Sequence, residues 1–292
     1  MKVRCLLAML LATISVPRLF ALGPTGHRVV AEIAQRHLTP AARRQIADLL
    51  GGYSLAEVAN WADDLRSDPR FDKYKRLHFA TVPNGTKSYR DSTPDSCGDV
   101  VAAIAALSAF LRTGSRDDLF KVKALTDKSD GNTAKACNPV ETEPITRETA
   151  LRLLVHFVGD IHQPLHVGGT DRGGNMVKIS WLGRWQTNLH SVWDDEMVDF
   201  ERLSYLEYAN FLDHASEEQV ARWQTGDAVA WADEDVAMRS TLYIFPDHPR
   251  PATDIHMVSY GYIGAQRIRM REQMLKGGLR LAGLLNVIFV DR

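Results

Sequence analysis

The sequence predicts a mainly α protein, a single-domain bundle of helices with one short β-hairpin. Three observations carry this. Apolar residues recur at steps of three and four in most segments after residue 22, whereas only Val177, Ile179 and Trp181 alternate as a strand does. No internal repeat, low-complexity tract or Pro/Ser-rich linker divides the 292 residues. A composition that is 45% hydrophobic and 24% charged suits a large core and excludes a disordered tail, a collagen-like repeat or a disulfide-dense mini-protein.

Residues 1–21 are expected to lie outside that fold as a secretory signal. Lys2 and Arg4 precede an apolar run from Cys5 to Val16, and Pro17-Arg18-Leu19-Phe20-Ala21 ends on a small residue that suits signal-peptidase cleavage. The run is about a dozen residues, short of the ~20 that a membrane span needs. A secreted or periplasmic protein starting at Leu22 is expected, with 22–292 as its one domain; a retained anchor is the alternative. Removing the segment takes away Cys5 and leaves Cys97 and Cys137 as an even pair in an oxidising compartment. One disulfide is expected, with two free thiols as the alternative.

Along the mature chain, Val30, Ile33, Ala34 and Leu38 repeat at helical spacing within a segment from His27 to Leu38. Thr39-Pro40 starts a second helix that ends at Gly51-Gly52, and Ser54 starts a third that runs through Trp61. Val100, Ile104, Leu107 and Leu111 form the buried face of a helix that stops before Gly114. Residues 113–144 are polar and hold Gly131-Asn132 and Cys137-Asn138-Pro139, which predicts a loop. Ile145 to His162 is the strongest helix, with Leu151, Leu154, Val155 and Val158 on its apolar side and Pro164 to stop it. The strand Val177–Trp181 runs into Leu182-Gly183, a helix follows from about Leu189 to Phe200, and Ser259 to Leu285 is a long closing helix. Residues 201–258, with His214, His248 and His256, carry no functional reading.

Lys+Arg 35 against Asp+Glu 36 leaves a net charge of -1, so no global basic field attracts a polyanion. Chemistry concentrates instead in histidines and aspartates. His156 and Asp160, and again His190 and Asp194, are four residues apart, a spacing that a helix turns into one shared face. Neutral imidazole and ionised carboxylate are donors that suit zinc. One such pair is more often a surface ion pair; two are a signal. The first sits among Leu154, Val155, Phe157 and Val158, so it either points to solvent or is buried for a purpose. His166 follows just past Pro164, while Asp63, His78 and His27 are each unremarkable alone.

In order along the chain, Gly26-His27, Trp61-Ala62-Asp63, Leu77-His78-Phe79, Leu-Val-His-Phe-Val-Gly-Asp-Ile-His-Gln-Pro-Leu-His at 154–166, Gly173-Gly174-Asn175 and Leu-His-Ser-Val-Trp-Asp at 189–194 resemble the S1/P1 nuclease family. The likeness runs from about residue 22 to residue 200. It implies a secreted helical bundle of the zinc-dependent phospholipase C/nuclease type, with three zinc ions. The implied activity is cleavage of single-stranded DNA and RNA to 5′-nucleotides, together with removal of 3′-phosphates. Nucleotides and single strands are the implied partners, with no membrane and no protein partner expected.

Position by position, the resemblance implies one zinc on Asp63, His78, His156 and Asp160, and a second on His166, His190 and Asp194. A third falls to His27, to Asp160 as a bridge, and to the free amine and carbonyl of Leu22, where the family has a tryptophan. Asp63 is also implied to orient the attacking water and Arg66 to stabilise charge on the phosphate, a solvated helix charge being equally open to Arg66. Phe79 corresponds to the aromatic platform that stacks a base, and Asn175 to a hydrogen-bonding contact with substrate, a turn role being equally open to it. Thr81 stands where fungal members have an aspartate, which predicts weaker base preference. Asn84-Gly85-Thr86 is a glycosylation acceptor pattern. Closely spaced zinc ions would reconcile a net acidic protein with a polyanionic substrate. Two other readings stay open: a zinc-dependent phospholipase C, which typically ends its ligand set on glutamate rather than Asp194, and a non-catalytic secreted zinc-binding protein.

Overall fold

Helices account for most of residues 22–95, 98–119, 145–246 and 254–290, which are the residues that the computed structural model describes. The expected signal segment, Cys97, Cys137 and most of the expected loop lie outside them. Helix α1 (Pro24–Arg36) begins on a proline, whose missing N–H has no partner to lose in a first turn, and buries His27, Val29, Val30, Ile33 and Ala34 along one side. Thr39 caps α2 (Pro40–Leu49) by accepting from the Ala42 N–H. The expected third helix is two pieces. Ser54 and Glu57 form a reciprocal cap on α3 (Leu55–Val58), and after Asn60 the chain restarts as α4 (Trp61–Asp64). That break re-aims Asp63.

Helix α5 (Val100–Thr113) is capped by Asp99 and ended by Gly114, whose φ of 74° is the left-handed backbone a helix stop uses. Helix α6 (Arg147–Asp160) is buried on every side from Leu153 to Asp160. The choice that its sequence left open is therefore decided: His156 and Asp160 are inside the protein. Helix α1 lies against α3, α6 and the last helix, and α6 also touches α4 and α5, so the core surrounds the C-terminal half of α6.

The strand content corrects the expectation of a lone hairpin. Strands β1 (Ala80–Thr81) and β2 (Val167–Gly168) pair in parallel, joining the residues after His78 to those after His166. The hairpin is β3 (Lys178–Trp181) with β4 (Trp185–Asn188), but β3 also pairs in parallel with β5 (Ile255–Val258). Two-residue strands have no period to read, and Ile-His-Met-Val is too short to separate from coil. The expected helix over 189–200 is also broken: α7 (Leu189–Ser191) passes through one π-helical turn, Val192–Glu196, into α8 (Met197–Phe200). The stretch without a functional reading holds α9 (Tyr205–Leu212), α10 (Glu217–Trp223) and α11 (Ala228–Leu242). The closing helix is α12 (Tyr260–Ile288). Gly278 lets it approach α1 closely, because a Cβ there would lie 2.6 Å from the Ile33 side chain. Among the described residues no helix is long and apolar enough to cross a membrane.

Candidate metal centre

Two buried donor sets meet at the end of α6. In the first, His156 and Asp160 lie one helical turn apart, with His156 Nε2 3.4 Å from Asp160 Oδ2. His156 Nδ1 donates to the Ala59 carbonyl at 2.7 Å, which leaves the Nε2 lone pair facing inward. Helix α1 brings His27, whose Nε2 is 3.4 Å from Asp160 Oδ1. Gly159 makes room for that ring, since a Cβ there would lie 2.5 Å from His27 Nδ1. Helix α4 supplies Asp63, whose Oδ1 is 3.6 Å from His156 Nε2 and 3.8 Å from His78 Nε2. His78 ends a run of 3-10 turns, Pro69–His78, and reaches Asp160 Oδ2 with Nδ1 at 3.8 Å.

The second set begins where Pro164 stops helix propagation and turns the chain back. His166 Nε2 lies 3.5 Å from Asp194 Oδ1, and His190 Nε2 lies 3.4 Å from Asp194 Oδ2. Each ring is oriented from behind by a carbonyl: His166 Nδ1 donates to His78 O and His190 Nδ1 to Gly173 O, both at 2.7 Å. The sets are linked, because Asp160 Oδ1 is also 3.7 Å from His166 Nδ1.

Burial governs the charge states here. It pushes His27 down to about 3, holds His78 well below the usual imidazole range and lowers His156 and His190. The same burial raises Asp160 to about 6 and Asp194 to about 8. Neutral rings surround carboxylates that the protein alone solvates poorly. Moreover, Nε2 of His27, His78, His156 and His166, both oxygens of Asp160 and Oδ2 of Asp194 are buried with no hydrogen-bond partner. Each orphan costs about 1–3 kcal/mol, so such a concentration is tolerable only if something else occupies the lone pairs. Divalent cations fit that requirement. Among the described residues, three donor groups have their ligand atoms within 4.8 Å of one another: His27, Asp63 and His156; His78, His156 and Asp160; and His166, His190 and Asp194. His156 is shared between two of them, as Asp160 is between His27 and His166 by distance.

The remaining predicted residues fall around this cluster. Leu22 is 2% exposed and lies over Gly26, and the neighbouring Gly23 N–H donates to the Asp194 carbonyl at 2.9 Å. Arg66, on the turn after α4, sets its Nε 2.7 Å from Asp63 Oδ1. Phe79 is 45% exposed although it adjoins buried His78. Thr81 is exposed on β1. Asn175 donates its side-chain amide to the Arg172 carbonyl at 2.8 Å.

Two residues escaped the sequence reading. Gln163 donates to Asp194 Oδ1 at 2.6 Å while accepting from the Leu165 N–H, so it sets the direction of Asp194. Asp195 packs so tightly on Gly23 that a Cβ there would lie 2.0 Å from Asp195 Oδ1; burial, and next Asp194, raise it to about 7. Gln163 was legible as part of His162-Gln163-Pro164, a polar residue beside a helix stop; nothing local distinguished Asp195 from Glu196.

Comparison with known proteins gives this cluster its context. Residues 22–290 match the S1/P1 Nuclease family. Endonuclease 3 of Arabidopsis thaliana is 30% identical over 291 residues, covering 91% of this chain and 88% of that protein. Nuclease P1 of Penicillium citrinum is 29% identical over 289 residues, 91% of this chain and 97% of its own length. Nuclease S1 of Aspergillus oryzae is 30% identical over 197 residues, 64% of this chain and 58% of that protein. With its donors gathered in one buried cluster and the match spanning the whole described region, the chain belongs to the S1/P1 nuclease family.

Proposed function

We propose that this chain is a zinc-dependent endonuclease that cleaves single-stranded DNA and RNA to 5′-nucleotides and also removes 3′-phosphates. The observation that carries the proposal is the set of unpartnered imidazole nitrogens and carboxylate oxygens buried around Asp160. Three zinc ions are assigned: one to Asp63, His78, His156 and Asp160, one to His166, His190 and Asp194, and one to His27, Asp160 and the backbone donors of Leu22. When bound, the ions supply Lewis acidity toward a phosphodiester and concentrate the positive charge that the sequence lacks.

In the reaction, water adds to phosphorus, the P–O3′ bond breaks, and the 3′ oxygen leaves as an alcohol with one of the water protons. Asp63 accepts a hydrogen bond from that water and so fixes its line of attack. Arg66, partly buried and already steadied by Asp63, donates to a phosphate oxygen as charge builds there. Phe79 offers an exposed face for a base of either sugar type, and stacking is worth ~1–3 kcal/mol without regard to sequence. Secretion follows from the same assignment: cleavage after Ala21 frees the Leu22 amine, and a Cys97–Cys137 disulfide suits the compartment.

The test is metal analysis and N-terminal sequencing of the secreted protein, with assays on single-stranded DNA and on phosphatidylcholine before and after chelation. Zinc near three per chain, a terminus at Leu22 and chelator-sensitive DNA cleavage are expected. Lipid hydrolysis without DNA cleavage would replace the nuclease with a phospholipase, and full zinc with neither activity would leave a binding protein.

A further inference from the structure

Arg172, Gly173 and Gly174 follow one another in left-handed backbone, at φ of 61°, 60° and 81°. Glycine adopts this freely; arginine does so only where its surroundings impose it. The turn is also crowded. A Cβ on Gly173 would lie 2.1 Å from the Leu165 carbonyl oxygen, and one on Gly168 would lie 2.3 Å from Gly173 Cα. The Gly173 carbonyl, thrust forward by this geometry, is the acceptor for His190 Nδ1 at 2.7 Å. The shape of the turn therefore sets the direction of the His190 ring.

What imposes the turn comes from the part of the chain that had no functional reading. Asp171 Oδ2 accepts from the Gly174 N–H at 3.2 Å and from the Tyr243 hydroxyl at 2.8 Å. Tyr243 directly follows α11, and burial together with Asp171 raises its phenol far above the ordinary value, so it stays protonated and donates. One turn earlier, Arg239 donates to the Val82 carbonyl at 2.8 Å, and the Val82 N–H donates to the Gly168 carbonyl at 2.9 Å. The end of α11 thus grips both edges of the loop.

We infer that Tyr243, acting through Asp171, is a positioning residue for His190: it holds the 171–174 turn in the strained form that aims the Gly173 carbonyl at the imidazole. The inference rests on the proposed role of His190 as a zinc donor. Partners that orient a metal-binding histidine typically change metal affinity or activity 10–100-fold when removed. Tyr243→Phe removes only the hydroxyl. Asp171→Asn keeps an oxygen able to accept both hydrogen bonds, whereas Asp171→Ala keeps none.

The experiment measures zinc retained by the processed protein across a chelator series, for wild type and the three variants, alongside unfolding temperature. Tyr243→Phe and Asp171→Ala are expected to release one zinc equivalent at 10–100-fold lower chelator while the others are held as in wild type. Asp171→Asn is expected to behave as wild type. Unchanged zinc retention in Tyr243→Phe overturns the inference, as does loss of every zinc together with a general fall in unfolding temperature. Asp171→Asn failing as badly as Asp171→Ala overturns it too, since the carboxylate charge would then act directly on metal or substrate. A wild-type protein that holds no zinc removes the underlying metal assignment, a result visible before any variant is compared.

Discussion

The rings of His27 and His156 stack face to face, with centroids 3.9 Å apart and planes 16° from parallel. Two imidazolium ions would repel in such an arrangement. Burial keeps His27 at about 3 and lowers His156, so both rings are neutral at pH 7 and present lone pairs. The stack joins α1 to α6 at the point where Asp160 meets His27.

Gly159 is what permits that stack. In Gly159→Ala the new methyl would sit 2.5 Å from His27 Nδ1 and 2.9 Å from its Cε1, so the ring must leave its place. Alanine favours a helix interior over glycine by about 1 kcal/mol, which offsets part of the disturbance. Zinc per chain and DNA cleavage should both fall, by about tenfold or more in rate, with little loss of far-ultraviolet helix signal. Full zinc content in this variant would show that His27 is dispensable.

Asp160→Asn tests the shared carboxylate. Asp160 Oδ1 faces His27 and His166, and Oδ2 faces His78 and His156, so one side chain borders both donor sets. Asparagine has a similar shape but no charge to offset a cation. The variant should bind at least one zinc fewer than wild type and lose at least about 100-fold in activity, beyond the usual effect of an outer partner. Metal analysis and initial rates check this, and a variant with full zinc and full rate ends the bridging role.

Much of the centre could be read from residue spacing, because a helix converts the four-residue interval of His156 and Asp160, or of His190 and Asp194, directly into proximity. Their burial could not be read that way. A polar pair among Leu154, Val155, Phe157 and Val158 is consistent with either exposure or enclosure, and the packing of α1, α4 and α5 around α6 decides it. The strand pairs were hidden for a different reason: β1 and β2 are two residues each and join segments 87 apart by register, from Ala80 to Val167. Contacts of that kind depend on the finished fold, as does the reach of Tyr243 to Asp171. The helix break at Asn60 and the π-helical turn that carries Asp194 are likewise tertiary choices imposed on sequences with ordinary helical periodicity.

Removing the metal should expose a distinct pH dependence. Without cations, Asp160 titrates near 6, Asp195 near 7 and Asp194 near 8, whereas in the unfolded chain each titrates near 3.8. The native state then holds protons that the unfolded state has lost, and the carboxylates' contribution to stability falls as pH rises from about 4 to about 8. His27 has the opposite sign: at about 3 natively against 6.5 when unfolded, it makes stability fall on acidification below 6.5. Above pH 6.5 only the carboxylates act. The chelated protein should therefore melt at progressively lower temperature from pH 6.5 to pH 8, and restoring zinc should flatten that slope by holding the carboxylates ionised in the native state. Thermal scans across this window, with and without zinc, decide the matter; identical slopes would contradict it.

Thr81 sets a limit on base discrimination. Exposed on β1 and without charge, it can offer one hydroxyl hydrogen bond, worth about 1 kcal/mol net, or roughly fivefold in rate. Initial rates on the four homopolymers should lie within about that factor. A preference of a hundredfold for one base would require a charged or multiply bonded base contact elsewhere.

Phe79 should separate binding from folding. Its neighbours His78 and Ala80 are buried, yet its own ring is 45% exposed, so replacing it leaves the core intact. Loss of one stacked base at ~1–3 kcal/mol corresponds to about 5- to 150-fold weaker transition-state binding. In Phe79→Ala this loss should appear mainly as a raised KM on single-stranded DNA, because stacking acts equally on the bound substrate and on the transition state and leaves kcat nearly unchanged. Zinc content and melting temperature should match wild type. A fall in kcat at constant KM would instead assign the ring a part in aligning the phosphate, and a lowered melting temperature would return it to the core.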